Sequence, residues 1–396
     1  MGWKSNISNI ENNRKLDKVI YLTYGDHFSG VFKSQVIETC NFLQHQSLAN
    51  VKLISFVDYT VWFSERKKIK SNYSNSIILP TLCSKLNWHP LFAILFIWIP
   101  FFFQVKKVLG RGIISTNVAL IWSKFLNLRV VYDGRGAVNA EWNEYNLGFT
   151  NLIKQKSFDW EKNCVLNSDF RISVSNKLIE YWGEKYNYYK SDHVIVSCTF
   201  SEENLKINLK LQNQKLKEWS FDSNDIIAVF SGGKDPWQSM ESLTSIMEKW
   251  LINNKNLKII FLTSPEIKEN EIFKKYPDRV FQDWISPKNV FSILKLADYG
   301  ILIRDENITN KVASPTKFAE YLVAGLKLII SENIGDYSIA VKTNGLGIIL
   351  NENMNEKSEF LLVKPSLKDK QKSSSFAQEK LSRSSNIDNY KRIVNC

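Results

Sequence analysis

The sequence predicts an α/β protein made of two doubly wound domains in series that face each other across a central cleft. Three observations predict it. At 396 residues the chain exceeds one compact core, which stops growing at roughly 250 to 300 residues. Apolar runs of strand length alternate with segments of helical period almost from end to end, as in parallel sheets with helical crossovers. A polar, charged stretch over residues 201–224, SEENLKINLKLQNQKLKEWSFDSN, interrupts that alternation once, and the pattern then restarts.

In residues 1–200, strands are expected at VIYLTY (from Val19), VKLISFV (Val51), NSIILP (Asn75), GIISTN (Gly112), RVVYDG (Arg129), FRISVS (Phe170) and HVIVSC (His193). These are near-continuous apolar runs, as strands covered on both faces should be. Residues 201–224 are taken as the linker. In residues 225–396 the strands are DIIAVFS (Asp225), LKIIFLTS (Leu257), RVFQDWIS (Arg279), DYGILIR (Asp298), LKLIIS (Leu326) and GIIL (Gly347). Helical spacing joins Trp237, Met240, Leu243, Met247 and Trp250, and again Val290, Ile293 and Leu294. The tail from Lys364 to Ser385, rich in Lys and Ser, is expected to be partly mobile.

Hydrophobic residues at 44% and charged residues at 23% exclude a disordered or collagen-like chain. The 52 basic against 40 acidic residues leave a net charge of +12, which points to an anionic partner such as a phosphate group or an acidic membrane. No zinc-finger, RRM or basic-zipper pattern is present, so nucleic acid is not the expected partner. The five cysteines form no CxxC pair, which suggests neither a disulfide framework nor a zinc site. The four histidines are dispersed and no HExxH occurs, so no metal is expected. The first eighteen residues lack an apolar h-region, and a cytoplasmic protein is expected. Residues Leu91 to Phe103, LFAILFIWIPFFF, are uncharged but shorter than the roughly 20 residues that span a bilayer. They read either as a buried helix kinked at Pro100 or as a helix lying in an anionic membrane interface, with Lys106, Lys107 and Arg111 behind it.

Function is sought in the loops after strands, where open α/β sheets bind ligands. After DYGILIR come Arg304, a polar loop and SPTKFAEYLVAG, with Ser314 as the expected N-cap and Gly325 as the stop. The first turn of that helix is an anion site, and Arg304 and Lys317 add charge beside it. Thr316 and Glu320 share a face, so Glu320 can reach a hydroxyl beside a bound phosphate; an ordinary capped crossover helix is the alternative. The strand DIIAVFS runs into Gly232, Gly233 and Lys234, which can curl backbone amides around an anion or simply form a tight turn. In the first strand-to-helix loop, Gly30 permits close backbone approach, and Asp26 and His27 can handle protons. Asp133 and Arg135, in VVYDGRG, can position or deprotonate an acceptor hydroxyl or merely brace a glycine turn. GxSxG, Walker A and GxGxxG patterns are absent after these strands, and GRG at Gly110 is read as preceding a strand.

The run ASPTKFAEYLVAGLKLIIS resembles the SPxKFxEYLAxGxPVI segment of bacterial polysaccharide glycosyltransferases with the GT-B fold, similar to retaining glycosyltransferase family 4. DYGILIRDENITNKV, SGVFKSQV and YDGRG are similar to the same group, in order from about Tyr21 to Gly347. The resemblance implies two Rossmann-like domains, the first binding the acceptor and the second the sugar nucleotide. It implies Glu320 on the donor ribose, Lys234 with Arg304 and Lys317 on the diphosphate, and Gly30 near the phosphates. The family's first glutamate, eight residues earlier, is here Val312, so contacts to the donor sugar fall to Asn307, Asn310 or Ser314. Lys327 stands where the pattern usually has proline.

The implied reaction is transfer of a sugar from a nucleotide-diphosphate sugar to a lipid-linked cell-surface glycan such as O-antigen or capsule. Retention without a metal or further cofactor is expected; inversion would require Asp133 or His27 as base. The expected location is the inner face of the cytoplasmic membrane. The rival readings are a non-catalytic sugar-nucleotide or membrane-binding subunit and a nucleotide-sugar epimerase.

Overall fold

A computed structural model of the chain describes residues 16–81, 90–145, 150–233, 240–265, 270–350 and 361–396; side chains are not described for 90–92 and 240–242. The first sheet holds β1 (Lys18–Tyr24), β2 (Asn50–Asp58), β3 (Ser76–Thr81), β4 (Lys107–Arg111), β5 (Arg129–Gly134), β6 (Phe170–Ser173) and β7 (His193–Ile195). They lie in the order β3-β2-β1-β4-β5-β6-β7, and every pairing is parallel. The second sheet holds β8 (Ile226–Ser231), β9 (Leu257–Leu262), β10 (Val280–Asp283), β11 (Tyr299–Leu302), β12 (Lys327–Ser331) and β13 (Gly347–Leu350). Its order is β10-β9-β8-β11-β12-β13, again all parallel.

Both sheets are therefore doubly wound, as the alternating pattern predicts. Each reverses its winding at one place, between β1 and β4 in the first and between β8 and β11 in the second. Loops leaving such a pair diverge to opposite faces and open a crevice at the carboxyl edge of the sheet. The strands are buried because helices cover both faces: Val51, Leu53 and Val57 of β2 point into one core while Ile54 and Phe56 point into another.

Two expectations, the strand GIISTN and the mobile tail, are corrected. GIISTN is not a strand: the strand is Lys107–Arg111, and Gly112–Ser123 is a helix. Gly112 makes the turn at φ +72°, and the Thr116 hydroxyl bonds back to the carbonyls of Gly110 and Gly112, both at 2.8 Å. GRG thus ends a central strand and opens a helix. The linker carries the helix Leu209–Glu218, which packs on the helix Pro287–Leu294. The Lys- and Ser-rich tail is ordered as the helix Leu367–Leu381, because Ser366 and Asp369 form a capping box and Ala377 and Leu381 enter the second core.

The final helix, Ile387–Asn395, returns to the first domain. Tyr390, Ile393 and Val394 complete the core beneath β1 and β2, and the buried Lys107 ammonium donates to the carbonyls of Ile393 and Val394. Where the chain crosses back, Arg383 pairs with Glu38 at 2.9 Å and donates to the carbonyls of Phe200 and Ser34. Ser34 lies in the π-helical turn Lys33–Ile37, whose widened ladder leaves carbonyls open to such a donor.

Candidate functional site

The carboxyl edges of the two sheets meet over a cavity of about 440 Å³. From the first domain it is lined by Ser29, Gly30, Val31 and Ser34, which follow β1, and by Phe200 and Ser201. From the second it is lined by Ser231, Gly232 and Gly233 after β8, by Trp284 and Phe291 near β10, and by Thr316, Lys317 and Glu320. The loop after β1 is anchored by Ser29, whose hydroxyl accepts from the Phe32 N–H at 3.1 Å. A Cβ added at Gly30 would meet nothing within 4 Å, so this backbone faces open space. The loop after β8 is held from below by Tyr321, whose hydroxyl accepts from the Ser231 N–H at 2.8 Å. Tyr321 can lie flat beneath that loop because Gly300 of β11 leaves room for its ring.

The helix Thr316–Val323 presents its amino end to the cavity with Pro315 at the N-cap and no side-chain cap, so its dipole is open to an anion. Ser314 is not the N-cap that the sequence suggests. Its hydroxyl instead accepts from the Cys198 N–H at 2.8 Å and bonds the Tyr337 hydroxyl at 2.6 Å, tying the helix start to the first domain. Lys317 and Glu320 pair at 2.8 Å, each about one-third exposed (30% and 32%). A pair that wet is worth at most about 1 kcal/mol and exchanges readily for a stronger partner.

The structure thus brings Gly30, Gly232, Gly233, Thr316, Lys317 and Glu320 to one cavity. Lys234 lies outside the described residues. Arg304 is not in the wall: its guanidinium donates to Asn310 Oδ1 at 3.2 Å and its N–H to the Ser331 hydroxyl.

Asp133 and Arg135 belong to a second cluster, at the crevice between β1 and β4. Asp133 is fully buried at the end of β5; it accepts from the Tyr21 hydroxyl at 2.5 Å and pairs with Arg135 Nε at 2.8 Å. Arg111 stands 3.9 Å from Asp133 and 3.5 Å from Asp26. Burial raises the Asp26 carboxyl above its ordinary range, against the pull of Arg111 and with reinforcement from Asp133. His27 is exposed beside it. No group of three or more His, Cys, Asp or Glu suited to a metal ion occurs among the described residues.

Sequence reasoning missed the lacing that holds the two domains face to face. Glu144 and Tyr145, at the end of the helix Val138–Glu144, grip the loop after β11. The Glu144 carboxylate accepts from the N–H groups of Ile308 (2.9 Å) and Thr309 (3.0 Å) and from the Thr309 hydroxyl, while Tyr145 accepts from Asn307. In return Asp336 of the second domain accepts from the N–H groups of Asn176 (2.7 Å) and Lys177 (3.2 Å), at the start of the helix Asn176–Tyr186. Each domain caps a helix of the other. Val312 is buried against Tyr132, Val174 and Leu178 of the first domain, and its carbonyl accepts from Ser175 at 2.7 Å. Glu161 underlies this arrangement. Fully buried, it accepts from the Asn139 N–H at 2.7 Å and the Tyr186 hydroxyl at 3.1 Å, and burial pushes its carboxyl up to about 7.

Two parallel, doubly wound sheets with their carboxyl edges facing across one cavity define the architecture. The fold is GT-B. Solved structures with it match almost the whole chain: a glycosyltransferase from Rickettsia africae (13% identity, 96% of this chain and 99% of that one, TM-score 0.68) and Anabaena HepE in complex with UDP (10%, 96% and 98%, 0.68). WaaG, a glycosyltransferase involved in lipopolysaccharide biosynthesis, matches at 11% identity over 93% of this chain and 99% of its own, with a TM-score of 0.60. No family model matches the chain, and no curated protein matches it. Val312, the position that the sequence resemblance aligned with a glutamate, is buried in this structure at the contact between the two domains.

Proposed function

We propose that the chain is a glycosyltransferase that moves a sugar from a nucleotide-diphosphate sugar onto a lipid-linked cell-surface glycan, with retention, as in family 4. The observation that carries this reading is the convergence of Gly30, Gly232–Gly233, Thr316, Lys317 and Glu320 on one cavity between the two sheets. The diphosphate sits at the amino end of Thr316–Val323, where the helix dipole and backbone amides of the Gly232–Gly233 turn balance its charge. Lys317 leaves Glu320 for the diphosphate, and the freed carboxylate accepts from the ribose hydroxyls. As the glycosidic bond breaks, these same groups stabilise the charge that grows on the departing nucleotide. The incoming acceptor hydroxyl forms the new bond on the leaving-group face and gives its proton to the β-phosphate.

The Asp133–Arg135 cluster serves the acceptor. Asp133, enclosed by Tyr21 and Arg135, holds the guanidinium groups of Arg111 and Arg135 in place in the crevice between β1 and β4; Asp26 and His27 are the groups nearer solvent. The likeness to HepE with UDP and to WaaG supports a nucleotide donor and a cell-envelope acceptor of this class.

Thermal-shift screening with UDP-, GDP- and dTDP-sugars tests the donor site, followed by nucleotide release with wild type and Glu320→Ala. One sugar nucleotide should raise the melting temperature, and release should fall at least about ten-fold in Glu320→Ala, as expected for a lost charge-assisted hydrogen bond of about 1.5–3 kcal/mol. No shift with any of them would defeat the proposal. Val312, a buried docking residue where the family has a glutamate, favours one second reading: a subunit that binds the sugar nucleotide without turning it over. That reading predicts a thermal shift with no release.

A further inference from the structure

The apolar segment that the sequence left open between core and interface is divided between the two. Ala93, Ile99 and Pro100 turn inward, where Ala93 and Ile99 pack with Trp122 and Val118, and the Trp122 indole donates to the Ala93 carbonyl at 2.6 Å. The other side of the same two short helices, Pro90–Leu95 and Trp98–Phe102, faces outward. Leu95 (70%), Phe101 (72%) and Phe102 (71%) are exposed, with Ile94 and Trp98 beside them. Large apolar side chains gathered this densely on a surface mark a contact site.

Cations border the patch. Lys52 lies over the Phe103 ring at 4.9 Å. Lys106 follows the patch directly, and its carbonyl accepts from the N–H of exposed Arg129. Lys124 and exposed Phe125 end the helix that Trp122 ties to Ala93. Three carboxylates, Asp17, Asp169 and Asp192, stand immediately before β1, β6 and β7 at the same edge of the sheet. No helix among the described residues is long and apolar enough to cross a membrane.

We propose that this flank of the first domain docks on an anionic lipid bilayer, with Leu95, Trp98, Phe101 and Phe102 entering the interface and Lys52, Lys106, Lys124 and Arg129 over the headgroups. Aromatic and aliphatic side chains bordered by flexible cations match the two layers of such an interface, apolar below and anionic above. The patch stands apart from the donor cavity: it leads into the start of β4, whereas the cavity lies at the carboxyl edges of the sheets.

Co-sedimentation of the full chain with phosphatidylcholine vesicles, and with vesicles one-quarter phosphatidylglycerol, tests it. Wild type should pellet with the anionic vesicles and be released by salt. Leu95→Ser/Phe101→Ser/Phe102→Ser should lose at least ten-fold in partitioning while keeping the wild-type melting temperature and the same sugar-nucleotide shift. Lys106→Glu/Lys124→Glu, which leaves the apolar side chains alone, should abolish the preference for anionic vesicles. Equal pelleting of wild type and the triple serine variant would overturn the proposal, as would no pelleting of wild type. So would a wild-type dimer, by light scattering, that the serine variant converts to monomer. Loss of vesicle binding with the sugar-nucleotide shift intact would leave the donor site standing.

Discussion

Glu161 shows how one buried carboxyl governs a distant surface. Its oxygen caps the helix Val138–Glu144, whose far end carries Glu144 and Tyr145 to the loop after β11. In the unfolded chain such a group ionises near about 4.3, whereas burial holds the folded group protonated up to about 7. Between those values the folded state binds more protons, so stability falls as pH rises, by roughly 4 kcal/mol in total, and levels off above the folded value. Glu161→Gln keeps the acceptor for Asn139 but cannot ionise. Denaturant titrations from pH 4.5 to 8 should show this fall in wild type and a flatter profile in the variant. An unchanged slope would mean that the group is already ionised in the fold. Residues of this kind are invisible in sequence, because nothing local marks Glu161 as buried. The cavity residues were legible for the opposite reason: Gly30, Gly232–Gly233 and Thr316–Glu320 sit in the segments that connect β1, β8 and β11 to the next strand, where topology concentrates ligands. Ser314 was legible as a helix-start residue but not in its role, since its partners Cys198 and Tyr337 lie 116 and 23 residues away.

Among the elements, strands were read well where apolar runs ended in polar turns, and misread at GIISTN. That run is β-branched and apolar because its helix is buried on most sides, and periodicity cannot distinguish such a helix from a strand. The sharper signal was the pair Gly110 and Gly112. A Cβ at Gly110 would stand 2.6 Å from Thr116, so the strand and helix approach too closely for any other residue. The same geometry recurs at Gly300 in β11, beneath the Tyr321 ring. Gly300→Ala should displace that ring, destabilise the protein by about 1–3 kcal/mol and weaken the sugar-nucleotide thermal shift, because Tyr321 loses the Ser231 N–H that it orders. A variant destabilised to this extent that keeps the full nucleotide shift would show that Tyr321 does not shape the donor loop. The tail was misjudged from composition alone. Lys368, Lys372 and Lys380 stay on the outer face of its helix, Ser373 is buried with Ala377 and Leu381, and the Ser366–Asp369 capping box is present in the sequence itself.

At the scale of the molecule, the reciprocal caps set how far the cleft stays shut. Glu144 and Asp336 each satisfy helix N–H groups of the opposite domain, contacts worth roughly 0.5–2 kcal/mol each. The double variant Glu144→Gln/Asp336→Asn should enlarge the radius of gyration in small-angle scattering and raise KM for the donor more than it lowers kcat. A closed scattering profile with unchanged KM would show that Val312 and Ser175 suffice to hold the domains together. The returning helix Ile387–Asn395 has a different consequence, for the chain during its synthesis. Lys107 finds its buried carbonyl partner at Ile393 only 286 residues later, and the core under β1 and β2 lacks Tyr390, Ile393 and Val394 until then. At ribosomal rates of about 5–20 residues per second that interval is on the order of 15 to 60 s. For that time the first domain has an open apolar groove beside an unsatisfied ammonium, which makes the nascent chain a client for chaperones that hold such surfaces until the last helix emerges.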